Sequence, residues 1–383
     1  LAQDDLSGWN FADQKLSGAN LSGAQVAGAD FSSTTAKGFT LAELASTASY
    51  EAKDLHGICL KSNDLAAWDF SDQDLTSANF ASAALTSANL TGANLTGAVL
   101  GGATLTGTNL TGATVVEASF VGTTAKGFTF SQLASTASYQ AKDLHGVNLG
   151  SNNLTGWGFA GQNLTGASFA SATLSAADFA GATVGGADFS DTTAKGFTFG
   201  QLATTASYQA KDLHGIGLGS NNLTGCDFAG QDLTGANFSS AALSAADFTG
   251  ATVVGANFSS TTAKGFAFAQ LGSTASYQAK DLHGIKLGGN DLSGWSFAGQ
   301  DLTGASFYFA TLSGADFTGA TVVGADFSNN RDGRLTFAQL ASTASYQAKD
   351  LHGIRAVGQP GRLGLCRPEP HRRVLVLRVP HIC

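Results

Sequence analysis

Methionine is absent from all 383 residues, and proline is absent before Pro360. The opening Leu1 to Phe11 repeats the pattern of Leu287 to Phe297, so with no initiator the sequence reads as a fragment that starts inside a repeat. Any signal peptide is then out of view. No apolar run reaches the eighteen or so residues that a membrane span requires. No phosphate-binding loop or zinc-protease signature occurs. Cysteine is scarce: Cys59 and Cys226 lie far apart, and Cys366 and Cys383 fall near the end. No disulfide framework follows, and the redox compartment stays open. Charged residues make up only 13%, so the outer surface must be mostly Ser, Thr, Asn and Gly.

What is present is a period of five. Leu85, Leu90, Leu95, Leu100, Leu105, Leu110, Val115 and Phe120 follow one another at that spacing. A small residue stands two places before most of them, as at Ala88, Ala93, Ala98 and Ala113. Neither a helical period of 3.6 nor a strand period of 2 generates this pattern. It requires a backbone that turns a corner every five residues. Four sides close a square coil of about twenty residues, and such coils stack at roughly 4.8 Å by β-type hydrogen bonds.

The units Ala88-Asn89-Leu90-Thr91-Gly92, Ala93-Asn94-Leu95-Thr96-Gly97 and Ala236-Asn237-Phe238-Ser239-Ser240 resemble the pentapeptide-repeat proteins, in particular the long bacterial multi-repeat type. The resemblance covers residues 4 to 354. It implies an all-β solenoid, a right-handed quadrilateral β-helix with the Leu or Phe and the small residue facing inward. It implies little about function: some members are acidic DNA mimics that inhibit type II topoisomerases, and most have no known role.

A longer period is superimposed. Tyr50, Tyr139, Tyr208, Tyr277 and Tyr346 are separated by 89, 69, 69 and 69 residues, and His56, His145, His214, His283 and His352 keep the same spacing. The first interval exceeds the rest by twenty residues, one whole coil, which leaves everything downstream facing the same way. Each 69-residue unit holds twelve sides plus nine surplus residues, which should form an excursion. Thr40 to Glu43, Thr129 to Gln132, Thr198 to Gln201 and Thr336 to Gln339 carry the spacing of a capping box and predict a short helix. Ala267 replaces the Thr in the fourth copy and should weaken its cap by about 1 kcal/mol. Trp68, Trp157 and Trp295, with Cys226 in the third copy, occupy a slot where Ala normally packs, so that side should bulge or turn the ring outward; a ring packing under the excursion is favoured over a ligand platform.

After Ile354 the five-residue phase stops. Residues 355–383 hold all four prolines and six of the eight arginines. With suitable synonymous codons, Leu363 to Val374 read one nucleotide later becomes Trp-Asp-Phe-Ala-Gly-Gln-Asn-Leu-Thr-Gly-Ala, nearly the text that follows Gly156 or Gly294. The expected organisation is therefore a repeat domain over 1–354 and a frameshifted, poorly ordered basic tail over 355–383. Without that tail the chain has 27 acidic and 14 basic side chains, a net charge of −13.

Successive histidines, three coils or about 14 Å apart, cannot share a zinc ion, whose nitrogen ligands lie near 2 Å. No catalytic, cofactor or metal site is expected. The candidate interaction surface is Tyr50, His56, Tyr139, His145, Tyr208, His214, Tyr277, His283, Tyr346 and His352. The leading expectation is a non-enzymatic structural or protein-binding rod, with polyvalent excursions on one side and an unknown protein partner. Direct nucleic-acid binding and a membrane span are not expected, while end-to-end self-association through uncapped coils is. The alternative is an acidic DNA mimic directed at a type II topoisomerase. A stack of roughly 70 Å would need about forty charges to match DNA at one phosphate per ~1.7 Å, more than the sequence supplies. The compartment, cytoplasmic or exported, is left open.

Overall fold

The computed structural model describes residues 1–330 and 335–356. The chain divides into two compact units, Leu1–Ser207 and the residues from Tyr208 onward. Both are built from the same coil. Parallel bridges pair residues twenty apart, as in Asn89↔Asn109 and Asn94↔Thr114 of the first unit and Asp212↔Asp232 and Asp227↔Asp247 of the second. Successive bridges are five residues apart, so each coil has four sides.

The five-residue motif follows from finding a partner for every backbone N–H. The Leu90 N–H donates to Asn109 O at 2.8 Å on the next coil, and the Asn89 N–H donates to Trp68 O at 2.9 Å on the previous one. The Gly92 N–H also donates forward, to Thr111 O, while the Ala93 N–H closes the corner on Leu90 O. The remaining donor, Thr91 N–H, is taken by the Asn89 side-chain oxygen. Asn or Asp is preferred before the apolar centre because it accepts that bond. The residue two places after the centre has positive φ, 66° at Gly92 and 57° at Ser87, which explains the abundance of Gly and Ser there.

Inside the coil, Leu85, Leu90, Leu95 and the interleaved Ala88 and Ala93 are fully buried. Where Phe replaces Leu, the rings form columns. Phe159 stacks on Phe179 at 5.3 Å and meets Phe169 edge-on at 5.2 Å. Such contacts add about 0.5–1.5 kcal/mol per pair to the burial of the rings.

At Asp30↔Cys59, Ser119↔Asn148, Asn257↔Lys286 and Asp326↔Arg355 the offset is 29 residues. In the second of these coils the surplus residues accompany a 3₁₀ turn, Thr124–Lys126, and two short helices, Phe130–Ala134 and Ala137–Gln140. Paired helices also occur at Leu41–Ala45 and Ala48–Glu51, Phe199–Ala203 and Ala206–Gln209, Phe268–Gly272 and Ala275–Gln278, and Phe337–Ala341 and Ala344–Gln347. The sequence reading anticipated only one helix in each. Helices this short do not hold themselves together. These are tied to the coil: Leu133 is buried, Ala137 N–H donates to Ala113 O, and Ser138 Oγ accepts the Val115 N–H in place of a ladder carbonyl.

Two expectations need correction. The Trp157 side does not bulge: Gly158 pairs with Asp178 at the ordinary offset, while the ring, 8% exposed, packs under the excursion against Phe128 and Phe130, as expected. Lys142, two residues before Leu144, is exposed because its φ of 60° belongs to the turn that leaves the second helix. Arg355, assigned to the tail, pairs with Asp326 in the ladder, since main-chain bonding is indifferent to that side chain. The rest of the tail reading, on residues 357–383, lies outside the described residues, as do residues 331–334 of the last excursion.

Candidate interaction surface

The first four excursions begin with a forced glycine, Gly38, Gly127, Gly196 and Gly265. Gly127 has φ 93°, and a Cβ there would lie 2.7 Å from Thr106 Cα. The chain can cross so close to the coil beneath only without a side chain. The Thr129 hydroxyl then caps Gln132 N–H, and Gln132 Oε1 accepts the Thr129 N–H at 2.8 Å. The same amide donates through Nε2 to Leu105 O and Thr108 O, both at 2.8 Å, fastening the helix to the coil below. At Ala267 only half of the box exists, because the methyl group cannot accept; Gln270 Oε1 still takes the Ala267 N–H.

The second helix presents the expected tyrosines. Tyr50, Tyr139, Tyr208 and Tyr277 donate their hydroxyls to Asp69 O, Gly158 O, Asp227 O and Ser296 O, nineteen residues on. Partial burial raises the hydroxyl pKa of Tyr50, Tyr139 and Tyr208. A lysine packs over each ring, as Lys142 does over Tyr139 at 5.6 Å, while its ammonium reaches the Ala160 carbonyl. Tyr346 is the most exposed of the five, at 36%, and meets Phe337 edge-on.

The histidines lie on the outer face where the chain rejoins the ladder. His56, His145, His214, His283 and His352 each bond through Nδ1 to the carboxylate two residues earlier, at 2.5–2.8 Å. That bond lowers the pKa of Asp54, Asp143, Asp212, Asp281 and Asp350 and raises that of His56 and His214. In the first four copies the tyrosine hydroxyl is thus anchored on the next coil, whereas the histidine bonds only within its own turn or at the surface.

Inward residues beside the excursion were legible only as exceptions to Ala. Asn152 Oδ1 accepts Thr124 N–H, and its amide donates to Phe120 O and Leu149 O. Gln162 donates to Tyr139 O at 3.1 Å. Its Oε1, like those of Gln73, Gln231 and Gln300, is buried without a protein partner. In the third copy Cys226 takes the Trp slot, and burial pushes its thiol pKa up to about 11, so it is an inert thiol. Cys59 and Cys226 are both free.

An open groove of about 690 Å³ runs beside the second excursion, bounded by Phe130, Trp157, Asn153, Thr173 and Lys195. Among the described residues, no group of three His, Cys, Asp or Glu side chains is placed to hold a metal ion. None of the described helices is long and apolar enough to cross a membrane.

The family model for pentapeptide repeats matches in eight copies, over residues 5–35, 64–92, 88–124, 158–191, 222–259, 281–319 and 291–329. No curated protein matches the chain. Among solved structures, HetL, a pentapeptide repeat protein involved in heterocyst differentiation regulation in the cyanobacterium Nostoc sp. strain PCC 7120, is 21% identical. That match covers 82% of this chain and 88% of HetL, with a TM-score of 0.18. A pentapeptide repeat protein of the Arabidopsis thaliana thylakoid lumen is 24% identical over 32% of this chain and 70% of its own, with a TM-score of 0.13. Full-length QnrB1, a plasmid-mediated fluoroquinolone resistance protein, is 14% identical over 78% and 94%, with a TM-score of 0.16. Likenesses of this strength carry nothing about function. The eight repeat matches, which together span more than half of the sequence and coincide with the twenty-residue ladder, place the chain in the pentapeptide-repeat family.

Proposed function

We propose that the chain is a non-enzymatic binding protein whose excursions form a repeated contact surface for a protein partner. One observation carries this reading: in four copies a tyrosine and a lysine are locked onto the coil by internal bonds, while a histidine–aspartate pair is left exposed beside them. Anchored side chains lose little freedom on binding. A partner with several matching sites gains affinity by effective concentration without any new kind of contact. The helical excursions, the 69-residue spacing and the single contact edge belong to this proposal. So does end-to-end association through open ladder edges.

The test is a titration of valence. The full chain is compared with variants in which one, two or four His-to-Ser, Lys-to-Ser pairs remove exposed contacts, for example at His145 and Lys142. Retention of a cross-linked partner should fall more than proportionally with each copy removed. Equal retention by all variants would sink the reading.

The alternative, an acidic DNA mimic, draws its support from charge. Lys126, Lys195 and Lys264 are tied to the carbonyls of Gly102, Ser171 and Ser240 but keep their charge, so the support is limited to the excess of 28 acidic over 20 basic side chains. It is separable by assay: inhibition of DNA supercoiling by a type II topoisomerase in the presence of the chain would favour the mimic over the excursion surface.

A further inference from the structure

The groove beside the second excursion reaches Lys195, in the 3₁₀ turn Thr193–Lys195 that opens the third, so it lies between two successive excursions. Its floor carries Asn153 and Thr173, which pair in the ladder. Its aromatic wall is Phe130, a half-buried ring. Trp157 braces that ring at 5.6 Å, and Tyr139 meets it edge-on at 5.7 Å. At 8% exposure Trp157 holds Phe130 in place rather than offering a face of its own.

The groups present exclude several kinds of occupant. The floor has no open sheet edge, because the Leu154 and Gly156 N–H groups already donate to Thr173 O and Ser175 O. An extended peptide therefore cannot add a strand there. An amphipathic helix needs a continuous apolar trough, and Ser151, Asn153 and Thr173 interrupt this one. Lys195 pairs with Asp191 at 2.8 Å, so the rim offers no cationic cluster to a phosphate or other polyanion. What remains is a ring set among hydroxyls and a carboxamide. The Asn153 oxygen is committed to the Thr155 N–H and hydroxyl, which leaves its NH2 group as the donor on offer. An aromatic ring to stack on a C–H face, with polar groups placed around it, is the surface that suits an uncharged sugar.

The other copies add an independent observation. Among the first four, Leu41 replaces Phe130 in the first and Cys226 replaces Trp157 in the third, whereas Phe268 and Trp295 repeat the braced pair at 5.6 Å in the fourth. There the place of Ser171, on the rim of the second groove, is taken by Phe309. Phe309 is 40% exposed, meets the equally open Tyr308 edge-on at 4.6 Å, and holds φ 60° in a turn that Ser171 and Ser240 occupy elsewhere. A bulky residue in the left-handed region is strained, and so exposed a side chain recovers little of that cost by packing. It does supply a second aromatic surface beside the braced pair's copy of the groove.

We propose that the groove at Phe130 and Asn153 is a binding site for a neutral saccharide chain, with a counterpart at Phe268, Asp291 and Phe309 in the fourth copy. One sugar ring lies on Phe130 with its hydroxyls bonded to Asn153 and Thr173, and the open groove lets the chain continue beyond it. The site is separate from the histidine–aspartate pairs and stands whether or not the excursions bind a protein.

The experiment is isothermal titration calorimetry of the full chain with cellohexaose, maltohexaose, mannohexaose and chitohexaose, and with a heparin hexasaccharide as the anionic comparison. At least one neutral probe should bind at about 1 mM or tighter, and more tightly than heparin. Two variants are then compared in a Phe268→Ala, Phe309→Ser background that silences the fourth copy. Phe130→Ala should weaken binding about tenfold. Ser171→Phe leaves the Phe130–Trp157 cluster intact and gives the second groove the ring that Phe309 gives the fourth, so it should tighten binding about threefold. Absence of binding by all four neutral probes, tighter binding of heparin, or an affinity that Ser171→Phe fails to raise overturns the proposal.

Discussion

The plain coils from Leu75 to Thr104 and the coil that opens after Ser119 solve one problem by different means. In the plain coils the ladder is main chain to main chain, and side chains are needed only to be small, apolar or a local acceptor. In the excursion coil the ladder is repaired by side chains: Ser138 Oγ replaces a carbonyl, Asn152 satisfies Thr124, and Gln132 reaches two carbonyls below. Plain coils should therefore tolerate changes on their outer face, whereas an excursion coil depends on particular polar groups. The comparison also explains how a coil could be added between the first two excursions without further adjustment. Twenty residues bring their own complete set of bonds.

The largest expected effect is at the crossing point. Gly127→Ala places a methyl group 2.7 Å from Thr106 Cα at φ 93° and should cost about 3 kcal/mol. Gly122→Ser, at φ 67° with nothing within 4 Å, should cost less than about 1 kcal/mol, because Ser87 already adopts that turn. Denaturant midpoints measure both, and equal losses would erase the distinction between crossing and corner glycines.

Next comes Asn152→Leu, which removes the acceptor of the part-buried Thr124 N–H and the donor to the Leu149 carbonyl and should cost about 2–3 kcal/mol. In a plain coil, Ala93→Leu should cost about 1–3 kcal/mol by overpacking, and outward Thr91→Lys less than about 0.5 kcal/mol. If Thr91→Lys matched Ala93→Leu, the inward and outward assignment of the plain coils would be wrong.

The smallest effects concern caps. Ala267→Thr should stabilise by about 1 kcal/mol by completing the box. Glu43→Gln should add a similar increment: Glu43 caps its helix but has no donor for the carbonyls of Leu16 and Ala19, which occupy the places of Leu105 and Thr108. Thermal melts of the two variants would check the gain, and a decrease for Glu43→Gln would show that the side chain's charge matters more than its missing donors.

The sequence by itself determined the coil and its dimension. A period of five with a twenty-residue difference between the long intervals defines a four-sided stack, because every residue type in the motif answers a local backbone need. It also revealed where the coil is interrupted, because Thr and Gln three residues apart announce a helix through short-range bonding. Only the tertiary structure decided what fills and ties the interruption. Trp157 fits without a bulge because the excursion opens space against Phe128 and Phe130, and the second helix forms because Ser138 and Ala137 bond to a coil more than twenty residues away. The tyrosines and histidines were visible as repeated letters, but their division into anchored and exposed was not. That division depends on carbonyls nineteen residues ahead of the tyrosines, partners brought near only when the coils stack.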